Sequence, residues 1–127
     1  MVRLLMLTGQ LREEAAAITR QELDLDNTLW RIAPERTKNS RPHDVPLSST
    51  ALSILDQLPR RVDRDLIFGG RKGPFSGWSK SKERLDQRCG LVAWRLHDLR
   101  RTFVTGMAEL GVQPHVIEAV VNHVSGH

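Results

Sequence analysis

The chain has 127 residues, 39% hydrophobic and 27% charged, which allows one modest core and is ordinary for a soluble domain. No apolar run approaches a membrane span, "MVRLLML" is too short for a signal peptide and lacks a small-residue cleavage site, and the single Cys89 excludes a disulfide framework or a cysteine-based zinc site. Net charge is +4 but uneven: −1 over residues 1–59, +7 over 60–101 and −2 over 102–127.

A basic middle on a near-neutral body fits a polyanion partner, although from charge alone a solvated Lys/Arg-rich face is the simpler reading. A reducing, cytoplasmic setting is the default expectation. The chain contains no tyrosine.

Neither an internal repeat nor a low-complexity linker is visible, so residues 1–127 read as one domain. Residues 2–7 are apolar and helical, as though their helix began upstream, and Thr8–Gly9 break it. "QLREEAAAI" (10–18) reads as a short helix with acidic residues near its N-terminus. "TLWRIAP" (28–34) and "PHDVPLS" (42–48) read as a hairpin around the polar turn "ERTKNSR".

Ser48 or Ser49 can cap a helix running to Leu58, with Leu52 and Leu55 inward and Pro59 ending it. The Gly/Pro loop "GGRKGPFSG" follows. Ser76 or Ser79 then caps a basic helix that Gly90 closes. A long helix covers about 97–110 and stops at Gly111, and Pro114 opens a last helix over 114–122. The fold expected is α+β, mostly helical, with one small antiparallel sheet.

The helix of "LHDLRRTF" (96–103) raises a chemical question. With Leu96 as origin and about 100° per residue, Leu99, Phe103, Met107 and Leu110 form one apolar stripe. Arg100 falls on its margin, His97 beside Arg100, and Arg101 well out toward water. A half-buried guanidinium must be paired. Either it makes a salt bridge to Glu14 or Asp98, or it is a fork held ready for a phosphate at a helix start, with His97 exchanging a proton there. On this turn alone the salt bridge is the simpler reading.

"LHDLRRTFVTGMAELGVQPHVIEAVVNHVSG" closely resembles the catalytic domain of tyrosine recombinases, in particular prophage-type integrases, with their His-x-x-Arg helix and a following apolar helix ending in Asn-His or Gly-His. Upstream, "LTGQLREEAAAI", "RTKNSRPHDVPLS" and "GPFSGWSKSKERLDQRCG" are similar to further family segments in the same order.

The resemblance implies a tyrosine-recombinase catalytic core, incomplete at both ends. It would lack the N-terminal DNA-clamping domain and the C-terminal tyrosine segment. It implies Lys38 as general acid for the leaving 5′ oxygen, and Arg100 as a grip on the non-bridging phosphate oxygens. His97 would be a proton acceptor or phosphate ligand, and His123 a donor to the same phosphate. Family chemistry is transesterification through a 3′-phosphotyrosine, with neither metal nor nucleotide cofactor; the implied partners are DNA and other recombinase protomers. A phosphodiester in transfer needs fixed cationic donors and a proton for its leaving group.

Taken singly, Lys38 would be a solvated turn lysine and His123 a helix C-terminal histidine favoured by the dipole. His115, His123 and His127 lack a carboxylate at convincing metal-ligand spacing, so no metal is expected.

Two departures bear on activity. The family's first phosphate-binding arginine falls at Leu11, with Glu14 in place as its acidic partner. Arg12 is next door but about 100° away on a helix. The nucleophilic tyrosine has no counterpart among the 127 residues. The chain is therefore expected to contact DNA without cutting it. Two alternatives are a helix-turn-helix-like regulator over "GMAELGVQPHVIEAVVN", where Met107 occupies a position that motif usually gives to a small residue, and a basic protein-binding domain.

Overall fold

The computed structural model describes residues 1–70 and 73–123; Arg71 and Lys72 of the Gly/Pro loop and residues 124–127, including His127, lie outside the described residues. Helix α1 (Val2–Thr8) buries Leu4 and Leu5 and ends at Gly9, whose φ of 67° is left-handed. Gly9 is required twice. A side chain there would be strained, and its β-carbon would overlap the ring of Phe103.

Helix α2 is Arg12–Ala16, shorter than the periodicity implies, with Leu11 extended at its N-cap. The reason lies in Gln10, a buried side chain that donates to the carbonyls of Thr8 and Val120, both at 2.8 Å. Gln10 thus serves as a tie between segments rather than as the first turn of a helix.

Strands β1 (Leu23–Asp24), β2 (Leu29–Ile32) and β3 (His43–Pro46) form an antiparallel sheet in the order β1-β2-β3. The β2–β3 hairpin is the expected one; β1 is new, because two residues are too few to show alternation. Register pairs Trp30 with Val45 and Ile32 with His43, and all four are buried on one face.

Helix α3 (Ser49–Gln57) is capped by Ser48, whose hydroxyl accepts from the Ala51 amide at 3.2 Å. Its inward residues are Ala51, Ile54 and Leu55, while Leu52, expected inward, is only partly covered at the core's edge. Ala51 and Leu55 join Leu4, Leu5, Ala15, Ile18, Trp30, Ile32, Val45, Leu47 and Ile67 in one core. The connection after α3 closes over this core, with Ile67 and Phe75 amides donating to the carbonyls of Ile18 and Ala16.

Helix α4 (Trp78–Cys89) starts from Gly77 at φ 77° without a side-chain cap, so neither Ser76 nor Ser79 performs the capping expected of it. Gly90, at φ 66°, does close the helix as its sequence position implies. Helix α5 (His97–Glu109) packs on α1, and α6 (Pro114–Val120) carries Pro114 in its first turn.

The apolar stripe of α5 is confirmed only in its first part. Leu96 is buried and Leu99 packs on the core, whereas Phe103 and Met107 are partly covered and Leu110 is 83% exposed. The last turn of α5 runs past the edge of the core, so a position on the stripe is no guarantee of burial. The whole is six helices and a three-stranded antiparallel sheet among the described residues.

A candidate phosphate-binding cleft

Helix α2, the hairpin turn, α4 and the start of α5 enclose a cleft of about 930 Å³. Leu11, Lys38, His97 and Arg100 all line it. Residues from four separate stretches of sequence thus share one wall-to-wall space.

Arg100 is half-buried, as the helical wheel implies, and Arg101 is exposed. Its pairing is not the expected ion pair. Nη1 donates to the Gly9 carbonyl at 3.1 Å and Nη2 to the Val121 carbonyl at 2.5 Å. Asp98 turns the other way, accepting from the Arg95 amide at 2.9 Å and lying 3.7 Å from Arg101. Burial lowers the Arg100 pKa from its ordinary value, and the nearby Glu14 charge opposes this; a guanidinium stays cationic regardless. Two carbonyls fix the fork, taking two of its five N–H groups.

Glu14 is buried, and desolvation pushes its pKa up. The Leu11 and Lys38 amides and the charges of Arg100 and Arg36 pull it back down. Arg36 makes paired 2.7 Å bonds to Glu22, which also accepts from the Trp30 indole, and donates to the Glu14 carbonyl at 3.2 Å.

Lys38 sits in the turn between β2 and β3, exposed, and the turn around it is fixed. Thr37 Oγ1 donates to the Arg41 carbonyl at 2.8 Å, and Asn39 Nδ2 donates to Oδ1 of Asn122 at 3.0 Å. The lysine is exposed but stands on a base tied to the segment just after α6.

His97 occupies the first turn of α5 with its side chain exposed. His123 is not on the cleft wall. It follows Asn122 beyond α6, exposed, its amide donating to the Glu118 carbonyl at 2.9 Å. Its link to the cleft is indirect, through the Asn39–Asn122 contact next to Lys38. Among the described residues no group of three or more His, Cys, Asp or Glu could hold a metal ion, and no helix is long and apolar enough to cross a membrane.

Sequence reasoning gave no role to three residues, Trp94, Arg95 and His43, and weighed Arg12 only as a neighbour of Leu11. Arg12 is not idle: it pairs with Glu13 at 3.2 Å and lies 5.9 Å from the Trp78 ring, on the α4 side of the cleft. Trp94 and Arg95 line the cleft just before α5. His43 is buried and hydrogen-bonds Gln10 at 3.0 Å, with burial lowering its pKa. Only Trp94 carried a sequence signal, as an aromatic beside a basic residue.

The model of the phage integrase family matches residues 1–127. Prophage integrase IntA of Escherichia coli (strain K12) is 36% identical over 122 residues, covering 94% of this chain and 30% of that protein. Prophage integrase IntZ of the same strain is 32% identical, covering 97% of this chain and 31% of its own length. The chain therefore spans less than a third of these relatives. Among solved structures, the XerH site-specific recombinase bound to difH substrate superposes with a TM-score of 0.78 at 21% identity, covering 98% of this chain and 38% of that one. That likeness is one of fold.

Proposed function

The chain belongs to the phage integrase family, and on that premise we propose that its 127 residues form the phosphate-holding part of a tyrosine-recombinase active site, able to bind DNA but not to cut it unaided. One observation carries this reading: Lys38, His97 and Arg100, the residues that match the family's cationic groups, line one cleft. Arg100 would grip the scissile phosphate from a fork already fixed by two carbonyls. Lys38 would protonate the leaving 5′ oxygen, and His97 would accept a proton or donate to a phosphate oxygen. His123 would join them if the stretch after α6 turns toward the bound backbone.

No catalytic turnover is expected of these residues as they stand. An alkyl side chain at Leu11 cannot neutralise a phosphoryl oxygen, and one lost donor of this kind costs about 10²–10³ in rate. Without a tyrosine, no phosphotyrosyl bond can form.

The test is a mobility shift with duplex DNA over a salt series, paired with a nicked substrate run on a denaturing gel. Sequence-tolerant, steeply salt-dependent binding without a covalent adduct is expected. Binding indifferent to salt, or a covalent adduct, overturns the reading. Strong preference for one DNA sequence would favour the helix-turn-helix alternative over α5 and α6.

A further inference from the structure

The cations of the cleft are not equivalent. Arg12 is spent on Glu13 and Trp78, Arg36 on Glu22 and Lys82 on Asp86, while Arg100 gives two of its N–H groups to carbonyls beside Glu14. Lys38 and Arg95 alone among the cleft's described lysine and arginine side chains are exposed and have no such partner. They come from different walls, Lys38 from the hairpin turn and Arg95 from the segment before α5.

Arg95 stands on a base as fixed as that of Lys38. The preceding Trp94 donates its indole N–H to Asp86 at 2.6 Å, and the Lys82 ammonium lies 4.7 Å from the Trp94 ring centroid. Lys82 and Asp86 close the triangle with a 2.9 Å ion pair. On the other side, Leu96 is buried, and the Arg95 amide is held by the Asp98 carboxylate. A bare guanidinium costs little on a loose surface loop, but here both neighbours are anchored and the charge is left facing the cleft. That is the arrangement an anion site needs: a fixed stem and a planar fork without an internal acceptor.

We propose that Arg95 is a phosphate-contacting residue, gripping the DNA backbone from a different segment of the cleft wall than Lys38, with the Lys82–Asp86–Trp94 triangle as its support. The assignment rests on the DNA-binding reading above and adds a residue to it. In this arrangement Arg95 offsets part of the positive charge that Leu11 leaves missing from the cleft, while Arg12, one residue from Leu11, does not.

The test measures binding of the native chain and three variants to a short duplex of arbitrary sequence by fluorescence anisotropy, from low to moderate salt. Arg95→Ala should weaken binding and lower the slope of log K against log salt by about 0.9, one phosphate's worth. Arg95→Lys should regain the native slope. Arg60→Ala, an exposed arginine of the same basic stretch outside the cleft, should leave the slope native. A native slope in Arg95→Ala, an equal loss in Arg60→Ala, or a slope in Arg95→Lys no steeper than in Arg95→Ala overturns the proposal while leaving DNA binding intact. Absence of binding by the native chain would instead remove the DNA reading itself, and this assignment with it.

Discussion

The Arg100 guanidinium donates to the carbonyl of Val121, joining the first half of α5 to the end of α6 across a span of 21 residues. Through its other nitrogen it holds Gly9, so one side chain ties together the C-terminal ends of α1 and α6. The residue proposed to grip phosphate is at the same time a structural clamp.

Arg100→Ala should therefore cost stability as well as ligand affinity. Both carbonyls lose a charged donor, which corresponds to roughly 2–4 kcal/mol. Arg101→Ala, whose side chain is 76% exposed, should stay within about 0.5 kcal/mol. Urea denaturation midpoints of the two variants decide the matter, and a larger loss for Arg101 would contradict the clamp.

Gly9→Ala tests the packing of α1 on α5. The substitution forces a left-handed φ on a side-chain residue and drives its β-carbon into the Phe103 ring. The cost should be on the order of 2–4 kcal/mol from strain and overpacking together. Adding Phe103→Leu to Gly9→Ala should recover part of it, whereas strictly additive losses would mean that the two residues do not compete for the same space.

The buried His43 makes stability depend on pH. Its folded-state pKa lies below the ordinary 6.5, because burial opposes the charged form. The unfolded chain then binds the proton more readily, so stability is full above about pH 6.5 and is lost as pH falls toward the folded value. Glu14 works in the opposite direction in its own, more acidic range: its raised pKa adds stability as pH falls through that value. Comparing denaturation midpoints at pH 7.5 and 5.5 should show a decrease that is smaller in His43→Gln, and an equal decrease in both chains would exonerate His43.

Trp94→Phe separates support from charge. The variant keeps every cation of the cleft but loses the indole bond to Asp86. DNA affinity should fall while the salt slope stays native, since no phosphate contact is removed. A lowered slope would show that Arg95 loses its phosphate contact altogether once Trp94 no longer supports it, and an unchanged affinity would show that the triangle gives Arg95 no support.

Leu11→Arg should act in the other direction, adding a cation to the cleft wall. The slope should steepen by about 0.9 and affinity should rise. If neither changes, the extended N-cap of α2 aims position 11 away from the DNA, and the correspondence drawn across "TGQLREE" is out of register.

The sequence alone determined whatever depends on local chemistry and short-range periodicity. The hairpin pairing Trp30 with Val45, the Ser48 cap, the Gly90 stop, the opening of α6 at Pro114 and the contrast between Arg100 and Arg101 were all legible from spacing and turn residues. The order of motifs pointed to the family in the same way. Tertiary structure decided what depends on partners distant in the chain. Glu14 and Asp98 were both candidate salt-bridge partners for Arg100 in the sequence, yet carbonyls of Gly9 and Val121 hold it. Backbone acceptors carry no sequence signature, so no pattern of side chains could reveal that pairing. For the same reason Gln10 looked helical until its contacts with Val120 and His43 were visible, and Leu110 looked buried until the core ended before reaching it. Periodicity specifies which face a residue occupies, but only the packed neighbours determine whether anything covers that face.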